Sequence, residues 1–421
     1  MNRAYQTLRS FANRGGHLVF SSMITSKILN FILSVIIVRV LAENIYGNIS
    51  YALSIMQILI PVAGLGLHHA LLRFGAIENS VEAKNNLFKH LLKWGSLFSL
   101  IIMVIVYIFA DLICTRLPEA KQYLQLFLPL IFTFFLAELI FSFFRIHKNN
   151  KTYSIGIIIK SVVLFAASYG ATMIWGGKGY ALAYSLTPLL VMLIMLFPAE
   201  KNYKLIQTPR TTIKLKPYIK YGIWVGFGSI ASQLVLLLDT IMVGNIMADS
   251  YQLAIYKVAT IIPVNLLFIP MVLLKTDYVY IAEKHKDRKF LINYYKKYLL
   301  IFSAIFVVII VGWLIFGDLL ISIFGSEYSS AKPLVSILLI MVGGAFLTRI
   351  PLGNMINALG KSQWNSISNL ILLFVNFILN AILIPKYGLT GAAIATSISV
   401  WLSGIINIFL FNYYLKNMCE K

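Results

Sequence analysis

Long apolar runs recur along the whole chain and constrain its fold more than any other feature. About 20 residues of α-helix cross the hydrocarbon core of a bilayer, and hydrophobic residues make up 59% of this sequence against 12% charged. The runs are continuous rather than alternating, which argues against a membrane β-barrel. The sequence therefore predicts an all-α polytopic membrane protein. Its twelve predicted transmembrane helices are 17–41, 46–73, 91–113, 122–144, 153–175, 179–199, 219–244, 251–274, 297–321, 333–358, 364–384 and 388–414.

The charges between these runs predict the orientation. With the N-terminus inside, inner segments carry 26 of the 36 Lys and Arg residues and outer segments carry 5. Cationic loops face the cytoplasm in multi-pass membrane proteins, so both termini are predicted to be cytoplasmic. The same rule accounts for the net charge of +21, and no nucleic-acid partner is expected.

The second half of the sequence repeats features of the first at an offset of about 200 to 212 residues. Small residues recur at every fourth position in the sixth and twelfth runs, a pattern that lets helices pack closely in lipid. These rows are Gly179, Ala183, Thr187 and Gly391, Ala395, Ser399. The repeat predicts a six-helix half over 1–199, a cytoplasmic basic linker over 200–218 and a second six-helix half over 219–421. An even number of helices per half predicts parallel halves, with a central cavity between them.

Lys27 lies near the middle of the first run. Placing lysine at that depth costs about 2.5 to 3.5 kcal/mol on insertion scales. Ser26, Asn30 and Ser34 recur around it at helical spacing. This polar stripe favours a wet cavity beside Lys27 over a purely structural hydrogen bond.

Other polar and charged residues within or at the ends of the runs are candidates for function. On the seventh run a polar stripe that includes Gln233 ends at Asp239, and we expect it to face the first helix across the two halves. The cavity candidates are thus Lys27, Asn30, Gln233, Asp239, Lys257 and Arg349. The gating or entrance candidates are Arg39, Arg73 and Arg145.

Several of these residues have a second interpretation. Arg39 would pair with Asp239 to close the outer side, or with Glu43 one helical turn away. Arg73 and Arg145 fit topology anchors better than contacts to an anionic head group. Lys257 is close enough to one surface for its side chain to reach the membrane interface.

Cationic residues outnumber acidic ones within the runs. Lys160 and Glu138 either pair with each other or touch substrate. The excess favours an anionic substrate group such as a diphosphate, because lysine and arginine bind phosphate oxygens well. The cationic set is Lys27, Arg39, Lys160, Lys257 and Arg349, against Glu138 and Asp239. No catalytic, metal-binding or cofactor motif is predicted.

Two stretches carry a family resemblance. The segment NAILIPKYGLTGAAIATSIS at 380–399 and the segment VRVLAENIYGNISYALSIMQIL at 38–59 resemble bacterial polysaccharide flippases of the O-antigen and teichoic-acid type. These belong to the multidrug/oligosaccharidyl-lipid/polysaccharide exporter superfamily. The resemblance implies a V-shaped transporter of the bacterial cytoplasmic (inner) membrane. Its cationic cavity would be lined by helices 1, 2, 7 and 8, the helices that carry Lys27, Asp239 and Lys257.

The implied activity is alternating-access transfer of an undecaprenyl-diphosphate-linked oligosaccharide from the inner to the outer leaflet, for surface polysaccharide such as O-antigen or capsule. The implied partners are the lipid-linked anionic oligosaccharide and the bilayer, with a polysaccharide polymerase and chain-length proteins as further ones. The first alternative is a cation-coupled multidrug exporter, which is disfavoured because helices 1 and 2 lack interior acidic residues. The second is an oligosaccharide polymerase, for which the predicted outer loops are too short.

Overall fold

Every regular element within the described residues, 16–207 and 214–417 of a computed structural model, is helical. The prediction of an all-α fold is therefore confirmed. Nine helices in this part of the chain are long and apolar enough to cross a membrane, or ten when the bent pair Lys216–Val235 and Leu237–Met247 is taken as one span. The count of twelve spans and the cytoplasmic termini stay predictions.

The chain divides into two compact units, Met1–Gln233 and Leu234–Lys421. The boundary falls inside a helix that begins at Lys216 and ends at Met247. The predicted halves, with their linker over 200–218, remain a prediction, and residues 208–213 of that linker lie outside the described ranges.

The first unit begins with the following helices: α1 Gly16–Val40, α2 Glu43–Leu59, α3 Leu67–Gly75, α4 Val81–Ile108, α5 Ala110–Ile113, α6 Ala120–Phe127, α7 Pro129–Ile146 and α8 Asn150–Tyr203. Helix α8 packs along both α1 and α7. Helix α7 is the most buried, and Phe135, Phe143 and Phe144 on it are fully enclosed. The apolar core of this unit thus lies around α7, and α1 reaches it through α8.

Helix α9, Lys216–Met247, crosses into the second unit, which then continues with these helices: α10 Ser250–Leu266, α11 Phe268–Glu283, α12 Arg288–Ser322, α13 Ala331–Gly344, α14 Ile350–Ala358 and α15 Ser362–Asn417. A π-helical turn, Ala345–Arg349, joins α13 to α14. Helices α13 and α14 both pack on α15. One apolar cluster there joins Ile281, Leu291, Met355 and Phe411 from four different helices.

Helices α8 and α15 are each interrupted by one glycine. A straight helix of 54 or 56 residues would be about 80 Å long, far more than the roughly 30 Å of bilayer hydrocarbon. Gly176 (φ 57°, ψ −140°) and Gly388 (φ 57°, ψ −136°) take nearly identical non-helical conformations. They lie 212 residues apart, which is the offset of the predicted repeat. Each long helix therefore consists of two helical segments that meet at this glycine.

Pro61 and Pro263 lie in the second and eighth predicted runs, 46–73 and 251–274, and interrupt them to different degrees. Pro61 opens a 3₁₀ segment, Ile60–Gly66, in which Ala63 is extended and the next three residues have positive φ. Pro263 lies inside α10, and the chain resumes as α11 at Phe268. A proline removes one helical hydrogen bond. At Pro61 the helix is interrupted over the whole segment Ile60–Gly66, a longer interruption than the one that follows Pro263.

The C-terminal end of α8 is hydrogen-bonded to the N-terminal part of α4 in the first unit. Asn85 donates a hydrogen bond to the Tyr203 carbonyl oxygen at 2.8 Å, and Asn149 donates to the Tyr203 hydroxyl at 3.1 Å. The His147 ring stacks on Tyr203 with centroids 4.0 Å apart. Burial, reinforced by the positive charge of Lys84, lowers the pKa of His147 to about 4. The imidazole is thus held neutral in this aromatic contact.

Candidate functional site

The polar stripe of α1 opens onto a cavity inside the first unit. Ser26, Asn30 and Ser34 line it together with side chains of α2, α7 and α8, and its volume is about 440 Å³. Residues four apart lie on one face of a helix, which is why this spacing brings all three to one opening. The Ser161 hydroxyl on α8 donates to the Ser26 hydroxyl at 2.7 Å and ties the two helices together at the cavity.

Lys160 and Glu138 form an ion pair in the wall of this cavity. The Lys160 Nζ lies 3.4 Å from the Glu138 Oε1, and the two side chains are 29% and 31% exposed. The ammonium group also lies 5.4 Å from the ring centroid of Phe134 and 5.7 Å from that of Phe141. The two aromatic faces and the carboxylate together stabilise a cation in an otherwise apolar setting. The pairing across α7 and α8 that the sequence offered as one alternative is thus present.

Two cationic candidates of α1 are exposed outside this cavity. Lys27 does not line it, and its side chain is exposed. Arg39 lines a shallower depression of about 300 Å³ with Phe165, Tyr169 and Met173 of α8. The structure therefore brings Asn30 next to the Glu138–Lys160 pair and places Lys27 and Arg39 elsewhere on the unit. Their cavity and gating roles stay predictions.

The two arginines at helix ends each lie over an aromatic ring. The Arg73 guanidinium is 5.0 Å from the ring centroid of Tyr221 and 5.8 Å from that of Phe74. The Arg145 guanidinium is 5.7 Å from the ring centroid of Tyr153. Such contacts fix a guanidinium plane at a modest gain of about 0.5 to 1 kcal/mol where it is exposed. Both arginines are thus oriented, and their entrance role stays a prediction.

A buried polar cluster surrounds Asp239 in the second unit. The Asn380 amide donates to the Asp239 Oδ1 at 2.7 Å, and the Thr396 hydroxyl donates to the Asp239 Oδ2. Asn380 also donates to the Asn376 Oδ1 at 3.0 Å. The Tyr256 hydroxyl is buried beside this cluster. Both oxygens of Asp239 are therefore engaged by α15 of the same unit, an arrangement that a buried carboxylate requires.

Lys257, Arg349 and Gln233 are half-buried. Arg349 ends the π-helical turn and donates from Nη2 to the Asn369 Oδ1 at 3.1 Å, while Asn407 donates to the Arg349 carbonyl oxygen at 3.3 Å. A π-turn leaves a carbonyl out of helical register, and Asn407 satisfies it. Arg349 is thus hydrogen-bonded to α15 through both its side chain and its backbone. The cavity roles of these three residues stay predictions.

Sequence reasoning missed several partners of these charged groups. Ser161, Asn376, Asn380 and Thr396 are small polar residues in apolar runs, and only the spacing of Asn376 and Asn380 by one turn signals a shared face. Within the described ranges no group of three or more His, Cys, Asp or Glu side chains could hold a metal ion.

Comparison with solved structures identifies the fold. The fold matches the lipid II flippase MurJ in an inward closed conformation with a TM-score of 0.74 and 18% identity, over 94% of this chain and 87% of that one. It matches an inward-facing multidrug resistance MATE family transporter with a TM-score of 0.73 and 16% identity, over 94% and 96% of the two chains. At such identities the similarity shows the fold alone, and the chain thus shares the helical fold of these two proteins.

The chain belongs to the polysaccharide biosynthesis protein family, whose sequence profile matches residues 13–276. The predicted resemblance is therefore confirmed. A Shigella flexneri protein provisionally assigned as an O-antigen transporter is 30% identical over 201 residues, which is 48% of this chain and 47% of that protein. A Haloferax volcanii protein provisionally assigned as the low-salt glycan biosynthesis flippase Agl15 is 33% identical over 109 residues, 25% of this chain and 22% of that one. The alignments thus span about half or less of the length of these relatives.

Proposed function

We propose that this protein is a flippase that moves undecaprenyl-diphosphate-linked oligosaccharide repeat units from the inner to the outer leaflet of the bacterial cytoplasmic membrane. The family match over residues 13–276 carries the proposal. The charge distribution supports it, because cationic residues outnumber acidic ones five to two within the predicted spans, and lysine and arginine bind phosphate oxygens well.

The proposed mechanism is alternating access between the predicted halves 1–199 and 219–421. The diphosphate would bind cationic side chains such as Lys27 and Lys257, while the lipid tail stays in the bilayer. Rocking of the halves would then open the site outward. An ion gradient or the membrane potential would supply the driving force, at about 2.3 kcal/mol per elementary charge per 100 mV. A polysaccharide polymerase and chain-length proteins are the proposed downstream partners.

A reconstitution experiment tests this proposal. Purified protein is placed in liposomes that carry the lipid-linked repeat unit, and transfer between leaflets is followed by accessibility of the glycan to an added lectin. We expect transfer that depends on the protein. In the native host, deletion should cause lipid-linked repeat units to accumulate and surface polysaccharide to disappear. No transfer in liposomes together with unchanged surface polysaccharide would refute the proposal.

Lys27 offers a sharper test of the charge argument. We predict that Lys27→Ala abolishes surface polysaccharide while the protein still inserts at normal levels, because the diphosphate loses a cationic partner. Lys27→Arg should keep partial activity. Lys121→Ala is the control, since Lys121 is a partly exposed lysine that pairs with Asp111 at 2.5 Å. Full activity of Lys27→Ala would remove Lys27 from the substrate path.

A further inference from the structure

The cavity of the first unit combines polar and aromatic surfaces at close range. Its polar groups come from Ser26, Asn30, Ser34 and the Glu138–Lys160 pair. Its ring surfaces come from one phenylalanine and three tyrosines: Phe141, Tyr153, Tyr180 and Tyr184. Ligand pockets in proteins generally have this composition, a mainly apolar wall with a few directed polar groups.

The polar groups of this cavity keep hydrogen-bonding capacity for a ligand. The Glu138–Lys160 contact is long, at 3.4 Å, and it uses one carboxylate oxygen of Glu138. An ammonium group carries three donors and a carboxylate has about four acceptor sites. Asn30 donates to Ser26 at 3.4 Å, beyond the usual N–H···O range, and its side chain is exposed. Donors and acceptors therefore stand side by side around one opening.

The charges in the wall limit what this cavity would bind. Because Glu138 and Lys160 are opposite charges in contact, the wall has no net charge to attract a phosphate or diphosphate. A metal cation would have a single carboxylate with an ammonium group 3.4 Å away. A purely apolar ligand would have to strip water from an ion pair that is about 30% exposed, at a cost in free energy. An uncharged molecule with many hydroxyl groups fits all three conditions.

We propose that this cavity is a sugar subsite, which binds an uncharged sugar of the transported oligosaccharide apart from its diphosphate. Hydroxyl groups would hydrogen-bond to Asn30, Glu138 and Lys160, and the apolar face of the ring would pack on the aromatic side chains. The subsite rests on the proposed flippase function. It separates two tasks within one substrate, since the sugar is held by neutral and paired groups and the diphosphate by cationic groups elsewhere.

A protection experiment tests the location directly. Asn30→Cys is introduced into the full-length chain with Cys114 and Cys419 replaced by serine, and the rate of alkylation by a maleimide is measured. The repeat-unit oligosaccharide released from its lipid should slow alkylation at least about fivefold when present at saturating concentration. Sodium pyrophosphate should not. Thr25→Cys is the matched control, because Thr25 is exposed on α1 outside the cavity, and neither probe should protect it.

Transport kinetics give an independent readout. Asn30→Ala, and separately the double variant Glu138→Gln with Lys160→Met, should raise the half-saturating concentration of the lipid-linked repeat unit. The expected change is about fivefold or more, the fold-change that corresponds to one lost hydrogen bond of about 1 kcal/mol. Transfer of undecaprenyl diphosphate without sugar should change less than twofold. The double variant removes both charges together, so neither is left unpaired in the wall.

The outcomes separate the subsite from the flippase function. Equal alkylation of Asn30→Cys with and without saturating oligosaccharide, in a variant that still transfers the lipid-linked repeat unit, refutes the subsite alone. Protection by pyrophosphate instead of oligosaccharide also refutes it, because the cavity would then be a phosphate site. Equal losses for the sugar-bearing and sugar-free lipids assign the cavity residues to folding or coupling and overturn the subsite. A wild-type protein that transports no lipid refutes the proposed function, while protection at Asn30→Cys by the oligosaccharide would still support a sugar site.

Discussion

The glycine breaks in α8 and α15 allow a test in which only backbone conformation differs. Gly176 and Gly170 lie six residues apart in the same long helix, and a methyl group added at either would meet no atom within 4 Å apart from its own neighbouring backbone. Gly176 has a φ of 57°, whereas Gly170 lies in regular α-helix. We predict that Gly176→Ala destabilises the protein and that Gly170→Ala stabilises it.

The magnitude follows from the backbone alone. A residue other than glycine in a sparsely populated φ/ψ region costs about 1 to 3 kcal/mol. The smaller conformational freedom of alanine in the unfolded chain returns about 0.4 to 1 kcal/mol. Gly176→Ala should therefore lower the free energy of unfolding by about 0 to 2.6 kcal/mol, and Gly170→Ala should raise it by about 0.5 to 1 kcal/mol.

The repeat extends this prediction to the second unit. Gly388 has the same φ as Gly176, and its added methyl group would meet only the Met247 Cε at an ordinary 3.5 Å, so Gly388→Ala should behave like Gly176→Ala. The free energy of unfolding is measured by titration with SDS in mixed micelles for each variant. Equal stability of Gly176→Ala and Gly170→Ala would show that the break at Gly176 tolerates a side chain, and the predicted backbone strain would be refuted.

Two further predictions concern buried polar groups. Asp239→Leu should lower the free energy of unfolding by about 1 to 3 kcal/mol, because the Asn380 amide loses an acceptor while the Thr396 hydroxyl can still donate to the Ala392 carbonyl oxygen at 3.1 Å. Asp239→Asn should lose less in the same SDS titration. His147 has a pKa lowered from 6.5 to about 4 in the folded protein, so the unfolded chain takes up its proton first and stability should fall as pH drops from about 6.5 to 4. His147→Phe keeps the stacking on Tyr203 and should flatten this slope; an unchanged slope would assign the pH dependence to other groups.

The helical class of the fold was predictable because the apolar runs leave few alternatives. A chain in lipid must satisfy its backbone groups internally, and continuous apolar runs of this length predict helices. Even the matching breaks at Gly176 and Gly388 follow from a repeat visible in the sequence. The 3₁₀ segment Ile60–Gly66 does not, because Leu65 takes a positive φ of 52° that its type disfavours. Tertiary packing sets that conformation.

The candidate site was predictable only in part, because partners on other helices are invisible to helical spacing. Charged residues in apolar runs signal themselves by their insertion cost, so Glu138, Lys160 and Asp239 stood out. Their neighbours Ser161 and Thr396 did not, because Ser and Thr in a membrane helix can hydrogen-bond to their own backbone one turn earlier. Ser161 does bond to the Ile157 carbonyl oxygen at 3.1 Å, as well as to α1.

The polar stripe of α1 shows where spacing stops being informative. Each residue turns about 100° around the helix, so Asn30, Ser34 and Lys27 stand about 40°, 80° and 100° from Ser26. By angle Lys27 lies at the edge of the stripe beside Ser34, yet Ser26, Asn30 and Ser34 line the cavity of the first unit and Lys27 is exposed outside it. One stripe can therefore serve two neighbouring surfaces. If both proposals hold, α1 would present neutral groups to a sugar on one side and a cation to the diphosphate on the other, and the lysine and asparagine variants should then fail for different substrates.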